Sequence, residues 1–188
     1  MNLPNKLTIL RILLAFVFMF FLFSRGVLAK SLALAVFMAA SITDYYDGYI
    51  ARKTGQITNF GKLMDPIADK ILTLSAFLVF VQLGIIEAWM VVVIIMREFF
   101  VTGVRLVAMG RGIVLAAEQG GKHKTVSQFV AIVLTLIFLV AKEAASGAWS
   151  PTLEIWLRRV IFYIMLVVIG LTLTSAISFL KKNEKLFN

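Results

Sequence analysis

The sequence predicts an all-α, polytopic membrane protein, a bundle of six transmembrane helices. Hydrophobic residues make up 61% of the 188 positions and the mean hydropathy is +0.94, whereas soluble domains are about half apolar. Apolar runs of about 20 residues, the length that a helix needs to cross a bilayer, recur through the whole chain. Cysteine is absent, which excludes disulfides and thiolate metal sites.

Six apolar runs follow one another with short polar connections, and we expect one domain, residues 1–188. The first run ends at Arg25 without the small-residue cleavage site of a signal peptide, so we interpret it as a retained helix. The longest polar connection, 110–124, predicts a short interfacial segment that Gly120 and Gly121 end before the fifth helix. The predicted helices lie near residues 7–24, 31–51, 64–85, 88–109, 125–142 and 155–180.

Lysine and arginine are distributed unequally between the two sides of this bundle, which predicts its orientation. Both termini and the connections after helices 2 and 4 carry Lys6, Arg52, Lys53, Lys62, Arg111, Lys122, Lys124, Lys181, Lys182 and Lys185. The other side carries Arg25, Lys30, Lys142, Arg158 and Arg159. We therefore expect a multi-pass protein of the cell membrane with both termini in the cytosol. In so apolar a chain, the net charge of +9 suits membrane lipids and phosphorylated substrates, and we expect no nucleic-acid partner.

All four aspartates of the chain lie within a 26-residue stretch. Asp44 and Asp47 are three residues apart, and Asp65 and Asp69 are four apart, so each pair lines one face of a helix. Facing pairs form the hard oxygen cluster that holds Mg²⁺, Mn²⁺ or Ca²⁺. Alternatively, the acids cap helices or pair with neighbouring cations, since Asp65 precedes a proline as an N-cap does. A cap accounts for one carboxylate only, and two divalent ions would balance all four charges.

The residues around these acids resemble the signature of the CDP-alcohol phosphotransferase family. The pattern is Asp44-x-x-Asp47-Gly48-x-x-Ala51-Arg52, eight residues, and then Gly61-x-x-x-Asp65-x-x-x-Asp69. Members of this family are integral membrane enzymes that join a CDP-linked lipid or alcohol to a hydroxyl acceptor and release CMP. The resemblance implies an active site at the cytosolic end with two ions of Mg²⁺ or Mn²⁺. The implied metal ligands are Asp44, Asp47, Asp65 and, in part, Asp69, which is also the implied base that removes the proton from the acceptor hydroxyl.

Small and cationic residues near the acids predict a site for the CDP-linked lipid. Gly48 and Ala51 are small where a ligand must approach the helix backbone. Arg52 can bind a diphosphate oxygen bidentately, or it is only a topology anchor. Asn5 and Thr8 belong to a run that resembles the family's Pro-Asn-x-x-Thr/Ser-x-x-Arg opening, and in the family this opening lies near the nucleotide. The alternatives are that Asn5 caps the first helix and that the Thr8 hydroxyl bonds to its own backbone. The predicted CDP-lipid site comprises Asn5, Thr8, Gly48, Ala51, Arg52 and Gly61.

A second group of cations predicts a site for the acceptor's phosphate. Arg105 lies eight residues after Arg97, on roughly the same helix face, and would form a basic pocket with Lys122 and Lys124. The alternative is that these lysines only set the topology. The Arg-Glu-Phe-x-Val-Thr-Gly-x-Arg run and the later Gly-Lys-x-Lys-Thr resemble the phosphatidylglycerophosphate synthase branch of the family. We expect Arg97 and Glu98 to be partly buried and paired with each other or with neighbours.

The resemblance implies that the phosphatidyl group passes from CDP-diacylglycerol to sn-glycerol 3-phosphate, giving phosphatidylglycerophosphate and CMP. Two alternatives stay open at this point. One is the same chemistry with inositol phosphate, serine or phosphatidylglycerol as the acceptor. The other is a divalent-cation transporter, although transporters more often place such acids on broken helices near the bilayer midplane. We also expect a homodimer, and the sequence does not identify its interface.

Overall fold

A computed structural model of the chain describes the backbone of residues 3–54, 59–110, 119–145 and 147–183. Side chains are described for residues 9–43, 70–110, 122–145 and 147–183. Within these ranges the chain forms six α-helices and no β-strand, which confirms the predicted all-α class. The helices are α1 (Leu3–Phe23), α2 (Val27–Thr54), α3 (Asn59–Gln82), α4 (Ala88–Gly110), α5 (Gln119–Ala144) and α6 (Pro151–Lys182).

The start of α5 differs from the prediction. Gly120 and Gly121 lie in its first turn, so the expectation that they end an interfacial segment before the fifth helix is wrong. Glycine is tolerated there because the first N–H groups of a helix have no partner within the helix. Residues 111–118 lie outside the described part of the chain, so the interfacial segment itself stays a prediction.

The connections after α1 and α3 each turn on a glycine with positive φ. Gly26 has φ 97° and Gly84 has φ 64°, in the left-handed region that glycine enters without steric cost. At the end of α3, the N–H of Ile85 donates to the carbonyl of Phe80 and that of Gly84 to the carbonyl of Val81, both at 2.9 Å. This pattern is the Schellman motif, which satisfies the last carbonyls of a helix.

Polar contacts bring these turns together with the ends of α5 and α6. The backbone N–H of Gly26 donates to Glu143 of α5 at 3.3 Å. Arg158 of α6 donates to the carbonyl of Gly84 at 2.6 Å and to Glu154 at 2.9 Å. The α1–α2 and α3–α4 turns therefore lie at one end of the bundle with the start of α6. By chain connectivity, the end of α2 and the starts of α3 and α5 belong to the other end.

An aromatic core joins the first helices to α5. Phe18 of α1 and Phe37 of α2 have ring centroids 5.7 Å apart, and Phe37 stacks on Phe129 of α5, also at 5.7 Å. Phe77 and Phe80 of α3 are fully buried in the same core. Helix α1 packs against both α2 and α3, so it supports the two helices that carry the aspartates.

Large apolar side chains also cover the outside of the bundle. Phe20, Trp156 and Tyr163 are 68%, 62% and 65% exposed, a surface that soluble monomers rarely present and that lipid would cover. Two helical segments of the described chain, Lys122–Ala144 and Pro151–Lys182, are long and apolar enough to cross a membrane, with mean hydropathies of 2.0 and 2.5. These segments are consistent with a membrane protein.

The remaining four spans stay predictions. In the described part of the chain, Ile9–Phe23, Val27–Thr43 and Lys70–Gln82 are apolar helical segments of 10–17 residues. The apolar run of the continuous helix α4 is interrupted near its middle by the adjacent charged residues Arg97 and Glu98. The number of membrane crossings and their orientation therefore stay predictions.

Candidate active site

The four aspartates all lie on helices next to the connection between α2 and α3. Asp44 and Asp47 belong to the last three turns of α2, and Asp65 and Asp69 to the first three turns of α3. Because α3 begins at Asn59, Asp65 is inside the helix, and the interpretation of this residue as an N-cap is wrong. The aspartate side chains themselves lie outside the described residues, so the meeting of the two pairs stays a prediction.

The donor set that these helices offer fits a hard divalent cation. Residues three or four apart on a continuous helix share one face, so the backbone of α2 and of α3 gives each carboxylate pair a common side. Carboxylate oxygens are the ligands that Mg²⁺ and Mn²⁺ prefer. Among residues whose side chains are described, no group of three or more His, Asp or Glu forms a second candidate for a metal.

The predicted CDP-lipid residues lie on α1, α2 and α3, three of the four helices that contribute to the aromatic core. Asn5 and Thr8 are in the first two turns of α1, which begins at Leu3, so Asn5 is inside the helix and does not cap it. Gly48, Ala51 and Arg52 follow the first aspartates on α2, and Gly61 precedes the second pair on α3. These side chains also lie outside the described residues, and their contacts with a nucleotide stay predictions.

A buried ion cluster around Glu98 of α4 is the best-described polar feature of the interior. Lys124 of α5 forms an ion pair with Glu98 Oε1, and Arg97 Nη1 lies 3.4 Å from the same oxygen. Lys70 Nζ of α3 lies 3.8 Å from Oε2 and donates to the backbone carbonyl of Glu98 at 3.2 Å. Glu98 and Lys124 are only 6% and 5% exposed. One carboxylate thus contacts cations from three helices, which confirms the expected pairing of Arg97 with Glu98.

Two hydroxyl groups join this cluster, and one of them, that of Ser175, belongs to a fourth helix. Arg97 Nη2 donates to Ser175 Oγ of α6 at 2.7 Å, and Lys70 donates to the hydroxyl of Thr102 on α4. Buried charges are stable only when they are paired and hydrogen-bonded. The cluster therefore constrains how α3, α4, α5 and α6 pack around it.

The three predicted acceptor residues differ in their surroundings. Arg105, in the last two turns of α4, and Lys122, in the first turn of α5, are exposed. Lys124 points into the bundle and pairs with Glu98. The structure thus brings Lys124 into the interior cluster and leaves Arg105 and Lys122 at the surface of the same two helices. The only histidine, His123, lies on α5 between these lysines and is exposed.

Sequence reasoning missed the partners of Glu98 on other helices. Lys70 directly follows Asp69 in the sequence, and its position beside an aspartate suggested only a local ion pair. Its contact with Glu98 spans 28 residues, and that of Lys124 spans 26. The available signal was the placement of Lys70, Arg97 and Glu98 inside predicted apolar helices, where each ionisable residue needs a partner.

Comparisons with known proteins agree with the motif. The family model described as CDP-alcohol phosphatidyltransferase matches residues 1–176. A protein of Bacillus subtilis (strain 168) named CDP-diacylglycerol--glycerol-3-phosphate 3-phosphatidyltransferase is 42% identical over 167 residues, covering 82% of this chain and 86% of that protein. A Rickettsia felis protein of the same name is 34% identical over 186 residues, covering 99% of this chain and 97% of its own length. A Mycobacterium tuberculosis protein named probable phosphatidylglycerophosphate synthase is 45% identical over 139 residues, 72% of this chain and 66% of its own.

Proposed function

The chain belongs to the CDP-alcohol phosphatidyltransferase family, and on this premise we propose that it transfers the phosphatidyl group of CDP-diacylglycerol to sn-glycerol 3-phosphate. The products are phosphatidylglycerophosphate and CMP, which makes the reaction a step of phospholipid biosynthesis. One observation carries this proposal. Relatives named for this reaction match most of the chain, and the Rickettsia felis relative covers 99% of it, so the similarity includes both the aspartate stretch and the Glu98 cluster.

The chemistry requires one base and one leaving group. The C1 hydroxyl oxygen of glycerol 3-phosphate attacks the phosphorus that bears the diacylglycerol, and the bond from that phosphorus to CMP breaks. Asp69 takes the proton of the hydroxyl as the new bond forms. Its carboxylate is kept basic by the like charges of the neighbouring aspartates. CMP leaves with the electron pair of the broken bond.

Asp44, Asp47 and Asp65 would bind two divalent ions, Mg²⁺ or Mn²⁺, and Asp69 would also touch one of them. The bound ions supply charge that stabilises the diphosphate and CMP as the leaving group. What this chain would contribute is two pairs of carboxylates, each pair on one continuous helix. The geometry of the ligands follows from the helix spacing of each pair.

The CDP-lipid would lie along the same helices. Gly48 and Ala51 leave room for the nucleotide beside α2, and Arg52 donates to the diphosphate. Asn5 and Thr8 lie on α1, which packs against both α2 and α3, and Gly61 lies in the first turn of α3. The diacylglycerol chains would extend into the bilayer beside the exposed apolar faces.

The phosphate of the acceptor would be bound by Arg105, Lys122 and Lys124. Arg105 offers a bidentate guanidinium and the lysines offer point charges. The burial of Lys124 supports a role at the inner wall of the pocket, because a cation in the interior interacts more strongly with an anion than one at the surface does. Arg105 and Lys122, which are exposed, would form its entrance.

We further propose that the six helices are six membrane spans of a single domain, with both termini and the aspartates at the cytosolic side. The bias of lysine and arginine supports this orientation. Cytosolic glycerol 3-phosphate would then reach the site directly. The expected homodimer belongs to this proposal as well, and cross-linking of the protein in native membranes tests it, since an exclusively monomeric species would rule it out.

A panel of acceptors given to the purified protein with CDP-diacylglycerol tests the proposed function. CMP release should be fastest with glycerol 3-phosphate. Faster release with serine, inositol phosphate or phosphatidylglycerol would change the acceptor and leave the family chemistry intact. Absence of CMP release with every acceptor, together with uptake of divalent cations into liposomes, would instead indicate a transporter.

A further inference from the structure

Glu98 joins two parts of the proposed site that lie far apart in the sequence. It contacts Lys124, which is proposed to bind the acceptor's phosphate. It also contacts Lys70, which directly follows the proposed base, Asp69, in the sequence. Arg97 approaches the oxygen that Lys124 contacts. A single buried carboxylate is therefore the common partner of these three cations.

Without that carboxylate, Lys124 would not stay in the interior. A lysine ammonium is strongly hydrated, and its burial is costly unless an anion pairs with it. Arg97 would add repulsion, because both cations meet at Glu98 Oε1. Since this oxygen is shared, it neutralises each cation only in part, and Lys124 keeps attraction for a second anion such as a phosphate.

We propose that Glu98 is a positioning residue, which holds Lys124 inside the bundle so that its ammonium meets the phosphate of the acceptor. This inference rests on the proposed function, in which Lys124 binds that phosphate. It differs from a purely structural ion pair in one respect. If Glu98 positions Lys124, its loss should raise the KM for the acceptor and leave the KM for CDP-diacylglycerol nearly unchanged. If the ion pair is only structural, its loss should impair the reaction with both substrates or lower the amount of folded protein.

Steady-state kinetics of Glu98→Gln test the selectivity. The KM for glycerol 3-phosphate should rise about tenfold or more, the scale of one lost charge-assisted hydrogen bond, and the KM for CDP-diacylglycerol should stay within about twofold. Glu98→Asp keeps the negative charge, so its KM for glycerol 3-phosphate should lie between those of the unsubstituted protein and Glu98→Gln. Glu154→Gln is the matched control, because Glu154 also pairs with two cations, Lys142 and Arg158, but at the opposite end of the bundle, and its KM values should not change.

A double substitution tests whether Glu98 acts through Lys124. If it does, Glu98→Gln should raise the acceptor KM little further in a Lys124→Gln background, because the effects of residues in one interaction are not additive. Full additivity of the two effects would overturn the proposal. A lower acceptor KM in Glu98→Gln would overturn it too, since Glu98 would then compete with the phosphate for Lys124.

Lysine methylation read by mass spectrometry tests the positioning without any activity. In the unsubstituted protein, Lys124 should be protected and the exposed Lys122 should react. In Glu98→Gln, and more weakly in Glu98→Asp, Lys124 should become reactive while Lys122 stays unchanged. Continued protection of Lys124 would refute the positioning role. If the unsubstituted protein releases no CMP with glycerol 3-phosphate, the proposed function is wrong and the role toward the acceptor's phosphate is overturned with it. The methylation result then decides only whether Glu98 holds Lys124 inside the bundle.

Discussion

Arg97 of α4 donates a hydrogen bond of 2.7 Å to the hydroxyl of Ser175 on α6, 78 residues further along the chain. Ser175 is 3% exposed, so the contact is inside the bundle. The same guanidinium lies 3.4 Å from Glu98, which pairs with Lys124. Helix α6 carries none of the predicted site residues, yet this contact links it to the cluster beside the site.

Ser175→Ala should lower the stability of the folded protein. The substitution leaves an N–H of the partly buried Arg97 without its acceptor, which costs about 1–3 kcal/mol. Thermal unfolding in detergent measures the effect as a lower Tm. Thr174→Ala is the control, because Thr174 is exposed and its hydroxyl bonds only backbone carbonyls of its own helix. Equal Tm values for the two variants would show that the Arg97 contact contributes nothing.

Substitution of the proposed metal ligands should abolish turnover. Asp44→Asn, Asp47→Asn and Asp65→Asn each remove one charged oxygen ligand, so the affinity for Mn²⁺ should fall together with activity. Titration of Mn²⁺ followed by electron paramagnetic resonance measures the affinity separately from the reaction. Glu143→Gln, at the opposite end, should leave both unchanged. Activity close to that of the unsubstituted protein in any aspartate variant would remove that residue from the ligand set.

Asp69→Asn provides a contrast with the other three acids. It should reduce kcat by about 10²-fold or more, as the loss of a general base does. Binding of CDP-diacylglycerol should persist because three carboxylates still hold most of the metal charge. Loss of CDP-diacylglycerol binding together with turnover would reassign Asp69 as chiefly a metal ligand.

Removal of the acceptor-site cations should affect one substrate only. Arg105→Ala should raise the KM for glycerol 3-phosphate about tenfold or more, and Lys122→Ala and Lys124→Ala should act in the same direction but more weakly, since lysine cannot bind a phosphate bidentately. Arg52→Ala should instead raise the KM for CDP-diacylglycerol first. Lys181→Ala, a cation at the end of α6, is the control and should change neither KM. An unchanged acceptor KM in all three acceptor-site variants would leave these residues as topology signals.

Cysteine labelling should place both termini in the cytosol. The native chain has no cysteine, so single cysteines introduced in place of Asn2 and Phe187 can be labelled without background from other thiols. An impermeant thiol reagent added to intact cells should leave both unlabelled. Glu87→Cys, in the connection between α3 and α4, should be labelled under the same conditions. Labelling of either terminus from outside would contradict the proposed orientation.

The helices could be predicted from the sequence because long apolar runs separated by charged connections are a strong local signal. Helix ends were less predictable, as the first turn of α5 shows. Its glycines, Gly120 and Gly121, have low helix propensity, but a first turn tolerates them since its N–H groups have no partner within the helix. Local composition therefore placed the end of the connection several residues too late.

The candidate site was predictable only where its residues lie close together in the chain. Asp44 and Asp47 are three residues apart, and Asp65 and Asp69 are four apart. On a helix, residues at these spacings lie on the same face, so each pairing could be predicted from the sequence alone. The contacts of Glu98 depend on which helices lie side by side, and no local pattern encodes that arrangement. Lys124 accordingly appeared as a loop cation in the sequence and is a buried partner of Glu98 in the structure.

Product stoichiometry tests the central claim, transfer rather than hydrolysis or transport, most directly. Purified protein would receive CDP-diacylglycerol and radiolabelled glycerol 3-phosphate, and both CMP and label extracted into chloroform would be counted over time. The proposed reaction predicts equal amounts of CMP and labelled lipid, with neither formed by Asp47→Asn. CMP without labelled lipid, or no CMP at all, would contradict the assignment of this chain as a transferase that uses glycerol 3-phosphate.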